Sequence, residues 1–245
     1  MTDLRPLPPQ ASVGIDVVDL RSPRVLKGLP RTRTIERILT SEERSQLDAS
    51  VDPATLFWTF WAAKEAGFKS ATLLRAAPPV FAHAAFQVDL AQARVRYGPI
   101  EFRLSINLTG PRLVALTQPL DPPGPSRPLA TVWGAGALEA LHRASAGSDL
   151  DTLRATAFTE REVDAVRGLP SALVRIAARR EAAAYLDLDE ERLQVICPPG
   201  PAGRRPPYLY LDGRPMEHCG LSISHDGEWI AWAVAGKIRE EAAGS

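Results

Sequence analysis

The chain has 245 residues, and 45% of them are hydrophobic, so it can bury the core of one large domain or of two small ones. Its 29 basic and 29 acidic residues give a formal net charge of zero. No global positive field would therefore recruit nucleic acid or an anionic membrane, and we expect neither as a partner. The first residues lack the pattern of a signal peptide, and no apolar run of about 18 residues could span a bilayer. We therefore expect a cytoplasmic protein, in which Cys197 and Cys219 are free thiols.

The predicted elements alternate between strands and helices along the chain. Residues 14–18 (GIDVV) predict an apolar strand that contains one carboxylate, Asp16. Thr40 or Ser41 in the first part of the chain, and Thr159 in the second, precede acidic residues in the pattern of a helix start. Alanine-rich stretches without interior proline predict helices over 57–71 and 171–186. Alternating hydrophobicity predicts further strands at 86–90, 102–106, 208–211 and 228–234.

An internal repeat divides the chain into two similar halves. Four pairs of segments match in the same order, with offsets that drift only between 116 and 120 residues. The pairs are GIDVVD (14–19) with GAGALE (134–139), LTSEER (39–44) with FTERE (158–162), KEA (64–66) with REA (180–182), and LSINLTG (104–110) with LSISHDG (221–227). Between the halves, residues 116–128 contain five prolines and predict an extended linker.

Each half is predicted to be an α+β unit, and two such units packed face to face would form a pseudo-dimer. We predict a first half at 1–118, a proline-rich linker at 119–128 and a second half at 129–245. The active site would lie between the halves.

Each candidate site residue has an ordinary explanation when it is taken alone. Asp16 could cap a helix from the end of its strand, and Glu65 lies four residues before Lys69, which is the spacing of a solvated ion pair on a helix. His225 lies where a strand would begin and precedes the turn residues Asp226 and Gly227. A solvated loop would equally account for the neighbouring pair Arg204 and Arg205.

Taken together, GIDVVD at 14–19, WAAKEAGFK at 61–69 and LSISHDG at 221–227 resemble the 4′-phosphopantetheinyl transferase superfamily. The resemblance implies transfer of phosphopantetheine from coenzyme A to a serine of an apo acyl or peptidyl carrier protein, with release of 3′,5′-ADP. It also implies that Asp16 and Glu65 bind Mg²⁺, for which Mn²⁺ could substitute. Two carboxylates suit Mg²⁺, which takes few protein ligands and keeps several waters.

The resemblance assigns further roles by motif. Lys69 closes the family's Lys-Glu-Ala-x-x-Lys pattern and counts with Asp16 and Glu65 among the catalytic residues. Glu65 is left open as metal ligand, as general base or as a group that acts through water. The coenzyme A contacts are implied to come from the two lysines, the Ser-His pair and the two arginines: Lys64, Lys69, Ser224, His225, Arg204 and Arg205.

The first motif departs from the longer, surfactin-type members of the family. Val18 stands where they carry a third acid, so either Asp19 or a water would complete the metal shell. The motif order instead follows the short holo-carrier-protein synthases.

The two halves are not equivalent, because Gly136 matches Asp16 and Leu108 matches His225. The sequence therefore predicts one active site per chain, a silent Glu181 in the second half, and a monomer that needs no partner subunit. The basic stretch from Arg21 to Arg37 is either a solvated surface or the docking surface for an acidic carrier protein.

Two other functions compete with transfer. A catalytically inactive transferase-like module would bind a carrier protein or a partner enzyme without turnover. A different coenzyme A or nucleotide enzyme of unrelated fold is disfavoured, because the chain has neither a Gly-x-x-x-x-Gly-Lys-Ser/Thr loop nor a Gly-x-Gly-x-x-Gly fingerprint. The carrier's pathway, whether fatty acid, polyketide or nonribosomal peptide synthesis, stays open.

Overall fold

The computed structural model of the protein describes residues 10–74, 82–121, 130–200 and 203–236. It has an α+β fold of antiparallel sheets and helices, which confirms the predicted fold class. None of the helices in these ranges is long and apolar enough to cross a membrane.

The first half contains one five-stranded sheet and four helices within its described part. The strands have the order β1-β5-β4-β3-β2, and all pairs are antiparallel. They are β1 (Gly14–Asp19), β2 (Phe86–Asp89), β3 (Arg94–Tyr97), β4 (Ile100–Thr109) and β5 (Arg112–Pro119). The helices are α1 (Pro23–Leu26), α2 (Thr32–Ile38), α3 (Ser41–Asp48) and α4 (Pro53–Leu74), and a 3₁₀ turn spans His83–Ala85.

Helix α4 packs on β1 and β5 and carries the core of the first half, with Phe57 and Phe60 fully buried. Fully burying an aromatic side chain of this kind contributes about 1.5–3 kcal/mol. The helix approaches β1 so closely that a Cβ at Gly14 would lie 1.9 Å from the carbonyl oxygen of Ala66. Glycine at this position therefore lets α4 come close enough for Lys69 to contact Asp16.

The second half repeats this strand order with one interruption. Its strands are β6 (Ala130–Ala137), β7 (Leu193–Ile196), β8 (Pro199–Gly200), β9 (Gly203–Arg204), β10 (Tyr208–Leu211), β11 (Arg214–Pro215), β12 (Gly220–Asp226) and β13 (Trp229–Gly236). They form the sheets β6-β13-β12, β11-β10-β7 and β8-β9. Strand β4 of the first half is continuous. Its counterpart in the second half is divided into β11 and β12, since residues 216–219 between them are not part of a strand.

The helices of the second half are α5 (Leu138–Ala144), α6 (Leu150–Ala157), α7 (Glu160–Val163) and α8 (Leu169–Leu186), and a second 3₁₀ turn spans Glu190–Arg192. Helix α8 packs on β12 and β13, as α4 packs on β1 and β5.

A buried capping box recurs in both halves. Thr40 caps α3 with Glu43 as its reciprocal partner, and Thr159 caps α7 with Glu162. Each glutamate also accepts a hydrogen bond from a strand backbone, Glu43 from Val88 N at 2.9 Å and Glu162 from Val195 N at 2.7 Å. Both predicted helix starts are therefore confirmed, and each joins a helix to the second strand of its half.

The two halves meet along β1. Its outward backbone N–H groups donate to side chains of β12, from Ile15 to Ser222 Oγ at 3.0 Å and from Val17 to Ser224 Oγ at 3.4 Å. A buried apolar layer of β1, β5 and β13 residues lies beside these contacts, with Ile15 and Ala233 both fully buried. The interface is therefore both packed and hydrogen-bonded.

Most predicted elements are confirmed, and two differ. The helices over 57–71 and 171–186 are the central parts of α4 and α8, and the four predicted strands lie in β2, β4, β10 and β13. Residues 116–119, predicted as linker, instead pair in β5, because Leu116 bonds into the sheet between β1 and β4. Residues 122–128 of the predicted linker lie outside the described residues. His225 lies near the end of β12 rather than at a strand start.

Candidate active site

Asp16 lies at the interface, where β1 faces the second half. Its Oδ1 accepts a hydrogen bond from Lys69 Nζ at 2.8 Å and another from Ser224 Oγ at 2.7 Å. Burial raises the pKa of the Asp16 carboxyl, and the contacts from Lys69 and Ser224 oppose that effect without cancelling it. The negative charge of Glu65 raises the pKa further, so the two carboxylates lie close enough to repel each other.

Lys69 ties the halves together. Besides Asp16 it donates to the carbonyl oxygen of Ile15 at 2.8 Å, and it lies 3.5 Å from the carbonyl oxygen of Ile223 on β12. Its side chain keeps 28% of its surface exposed. A lysine at this point of α4 can therefore hold Asp16 and still meet an anion that enters the interface.

Glu65 lies one turn before Lys69 on α4 and is about one-fifth exposed. Its Oε1 is 3.5 Å from Nε2 of His83, a residue that the sequence motifs do not include. The structure thus brings Asp16, Glu65, Lys69 and Ser224 together, with His83 beside them.

Asp19 does not join this cluster. Its carboxylate is buried and accepts hydrogen bonds from two backbone N–H groups, Arg21 at 2.9 Å and Glu228 at 3.0 Å. The resemblance left Asp19 or a water to complete the metal shell. Asp19 is disfavoured as a third carboxylate ligand, because its two oxygens already join the turn after β1 to the β12–β13 turn. Among the described residues, no three His, Cys, Asp or Glu side chains form a metal-binding group.

Lys64 is also absent from the cluster, contrary to its predicted contact with coenzyme A. Its side chain is fully buried, and its ammonium lies 2.8 Å from Glu43 and also contacts the carbonyl oxygen of Phe86. Successive residues of a helix point in different directions, so Lys64 faces the core while Glu65 faces the interface. Its contacts are structural, and it cannot meet a phosphate without leaving the core.

His225 follows Ser224 on β12; the residue is exposed, yet its imidazole is partly desolvated and feels the charges of Lys69 and Asp16. Burial lowers the pKa of its imidazole, and the positive charges of Lys69 and Arg175 lower it further. Asp226 and Asp16 act in the opposite sense without reversing the shift. The ring is therefore held in its neutral form near pH 7, where one nitrogen still donates a hydrogen bond.

Arg175 of α8 is a site residue that sequence reasoning missed. It is only 6% exposed, and it contacts Ser171 and Cys197 rather than a carboxylate. Its Nε is buried without a hydrogen-bond partner within the described chain. A buried guanidinium without a counter-charge is costly, so this group is suited to an incoming anion.

Arg204 and Arg205 both contact the segment that begins at Cys197. Arg204 donates to the Cys197 carbonyl oxygen at 3.2 Å and pairs with the exposed Asp164 at 3.1 Å. Arg205 contacts the Tyr208 hydroxyl and partly opposes the rise in pKa that burial gives that group. Cys197 therefore joins Arg175 to the loop that carries both predicted arginines.

The comparisons with known proteins agree with the motifs. A sequence model described as the 4′-phosphopantetheinyl transferase superfamily matches residues 12–102, a segment that contains Asp16, Glu65 and Lys69. The match supports the resemblance seen in the motifs over this segment. No curated protein matches the sequence.

Several solved chains match this protein, one of them over part of its length. It is the holo-[acyl-carrier-protein] synthase of Thermotoga maritima, which is 17% identical over 54% of this chain and 73% of its own length, with a TM-score of 0.34. This likeness is too partial to support any argument about the site.

Proposed function

We propose that the protein transfers 4′-phosphopantetheine from coenzyme A to a serine of an apo carrier protein. The observation that carries the proposal is the contact of Asp16 and Lys69 of the first half with Ser224 of the second, because residues of all three motifs meet there. Glu65 and His225 lie beside this junction. Two carboxylates, a lysine and an imidazole that can donate a hydrogen bond to a phosphate are therefore near one interface.

The carboxylates of Asp16 and Glu65 fit a divalent cation. Burial raises the pKa of Asp16 and the charge of Glu65 adds to that rise, so a cation bound by both carboxylates would favour their ionised forms. Mg²⁺ suits two carboxylates with waters in the remaining positions, and Mn²⁺ is expected to replace it. The bound cation would neutralise charge on the pyrophosphate of coenzyme A.

The basic residues would hold the anionic ends of coenzyme A. Lys69 lies at the interface with 28% of its side chain exposed, and neutral His225 can donate to a phosphate oxygen. Arg175 and Arg204 both contact Cys197, and Arg205 is the next residue in the chain; a guanidinium fork suits a terminal phosphate such as the 3′-phosphate.

The reaction needs one proton acceptor and one leaving group. The carrier serine oxygen bonds to the β-phosphorus of coenzyme A, the bond from that phosphorus to the bridging oxygen breaks, and 3′,5′-ADP departs with the electron pair. Glu65, directly or through a water, would take the serine proton. Positioning and charge neutralisation provide most of the catalysis in phosphoryl transfer, which agrees with a site built from Lys69, His225 and arginines.

One active site per chain is proposed, in a pseudo-dimer that acts as a monomer. At the position that matches Asp16, a Cβ on Gly136 would lie 2.8 Å from Leu141, so that space is filled. Glu181, which matches Glu65, accepts a hydrogen bond from Trp232 Nε1 at 3.4 Å. These contacts support a second half that provides His225 without an active site of its own.

An acidic carrier protein would dock on α1 and α2. The six basic residues of this stretch are exposed, and Leu26 and Leu29 lie exposed among them. Arg24 is already engaged, with Asp226 at 2.8 Å and the Trp58 ring at 4.7 Å, so the other basic residues would make the contacts. Carriers of fatty acid, polyketide and nonribosomal peptide synthesis all remain candidates.

Intact mass spectrometry of apo carrier proteins tests the proposal. The carriers are incubated with the protein, coenzyme A and Mg²⁺, with and without a chelator, and Asp16→Asn serves as the matched inactive variant. We expect a chelator-sensitive gain of one phosphopantetheine on the carrier serine. Coenzyme A binding without a gain on any carrier would instead support the inactive, carrier-binding module.

A further inference from the structure

His83 is held in place by both its backbone and its ring. It opens the 3₁₀ turn His83–Ala85, where its carbonyl oxygen accepts from the N–H of Phe86 at the start of β2. Its imidazole packs on the Trp61 indole with ring centroids 4.6 Å apart and planes at 37°. Only 18% of the side chain is exposed, so the ring has little freedom to turn.

The same ring faces Glu65. Trp61 precedes Glu65 by four residues on α4, so the two side chains lie on one face of the helix. The distance from His83 Nε2 to Glu65 Oε1 is 3.5 Å, within ion-pair range and slightly long for a hydrogen bond. Contacts of this kind commonly shorten when a substrate closes the site.

Neither nearby lysine provides this contact in the structure. Lys64 is committed to Glu43 in the core, and Lys69 is committed to Asp16 and Ile15. Within the described ranges, His83 is the basic side chain found within ion-pair distance of Glu65.

We propose that His83 is a positioning residue, which donates to Oε1 of Glu65 and so presents its other oxygen, Oε2, to the cation or the serine proton. This inference rests on the proposed function. Glutamate has several rotamers of similar energy, and a donor on one oxygen selects the productive one. Partners that orient a metal-binding carboxylate typically contribute 10- to 100-fold to metal affinity or activity.

Two substitutions separate positioning from packing. His83→Phe keeps an aromatic ring on Trp61 and removes the donor, whereas His83→Gln keeps a donor and removes the ring. Steady-state transfer gives kcat and the KM for coenzyme A. Electron paramagnetic resonance of free Mn²⁺ gives the metal dissociation constant without substrates.

We expect His83→Phe to lower kcat about 10- to 100-fold and to weaken Mn²⁺ binding by a similar factor, with KM for coenzyme A unchanged. His83→Gln should recover most of both losses. Wild-type values of kcat and Mn²⁺ affinity in His83→Phe would overturn the inference, as would equal losses in His83→Gln.

Two further outcomes are distinguished by the controls. If His83→Phe does not fold, His83→Met and His83→Gln, which are similar in volume, carry the same comparison, and equal kcat values would overturn the inference. If the wild-type protein neither transfers nor binds Mn²⁺, the proposed function fails and the inference with it. If the wild-type protein transfers phosphopantetheine and binds Mn²⁺, and His83→Phe does both equally well, the proposed function stands and the positioning role of His83 is overturned.

Discussion

Lys69 Nζ and Asp16 Oδ1 are 2.8 Å apart, and this pair of the first half lies where β12 of the second half meets β1. The same ammonium contacts the backbone of Ile15 in the first half and that of Ile223 in the second. Ser224 reaches Asp16 from the second half as well. The residues that would bind a cation thus depend on correct packing of both halves.

Removing either acid of this cluster should abolish transfer. Asp16→Asn and Glu65→Gln keep the side-chain shapes and remove the charges that would bind the cation, so kcat/KM should fall by about 100-fold or more. The matched control is Glu181→Gln, because Glu181 contacts Trp232 in the second half. The activity of Glu181→Gln should stay within about threefold of the wild type. A loss of about 100-fold is expected only where the altered group acts in the reaction. The reverse ranking in a carrier-loading assay would contradict a single site.

Replacing Lys64 should affect stability rather than catalysis. Lys64→Met leaves Glu43 buried without its cation, and breaking such a pair costs about 3–5 kcal/mol. Urea unfolding measures this loss, and kcat of the folded fraction should be unchanged. Arg180→Met is the control, because Arg180 aligns with Lys64 but its side chain is 63% exposed; it should cost less than about 0.5 kcal/mol. If Lys64→Met lowers kcat but unfolds at the same urea concentration as the wild type, Lys64 acts in the active site and the structural role is contradicted.

The sequence predicted the elements of the fold better than their ends. Helices α4 and α8 have long alanine-rich sequences, and the capping boxes at Thr40 and Thr159 have a local signature, so both kinds of element were predictable. Strand β5 was partly mistaken for linker, because prolines after Pro119 dominate the local composition. Its pairing with β1 and β4 is a tertiary contact that no local pattern records.

The candidate site residues could be predicted from the sequence only where they belong to a motif. Asp16, Lys69 and Ser224 belong to motifs and meet as those motifs require. Arg175 and His83 have no motif, and their positions depend on contacts between segments far apart in sequence. Lys64 does belong to a motif, yet its direction depends on helix phase and on the distant Glu43.

The imidazole of His225 should titrate below the ordinary value of about 6.5, because burial and two nearby cations lower its pKa. The folded-state pKa is then lower than the unfolded-state one. Stability from neutral His225 is fully present above about pH 6.5 and is lost as the pH falls through the folded-state pKa. Urea unfolding at pH 8 and pH 5.5 should show that the wild type loses more stability than His225→Gln on acidification.

Ligand binding provides an independent check of that pKa. A phosphate beside His225 favours the imidazolium, so saturating coenzyme A should raise the pKa in an NMR titration. A midpoint above 6.5 in the free protein, or one that coenzyme A leaves unmoved, would contradict the placement of His225 at a phosphate.

Charge reversal at the adjoining ends of α1 and α2 should selectively weaken binding of the carrier protein. Lys27 and Arg31 are exposed and have no part in the Arg24–Asp226 contact, so Lys27→Glu/Arg31→Glu should leave the site intact while repelling an acidic carrier. We expect the KM for carrier protein to rise about tenfold, which corresponds to about 1.4 kcal/mol, with the KM for coenzyme A unchanged. The salt dependence of carrier loading should also become weaker, because fewer attractive charge pairs remain to be screened. Arg103→Glu/Arg143→Glu, a pair of exposed reversals on β4 and α5, changes the net charge by the same amount and is the control. An equal rise in its carrier KM would show that total charge rather than this surface attracts the carrier.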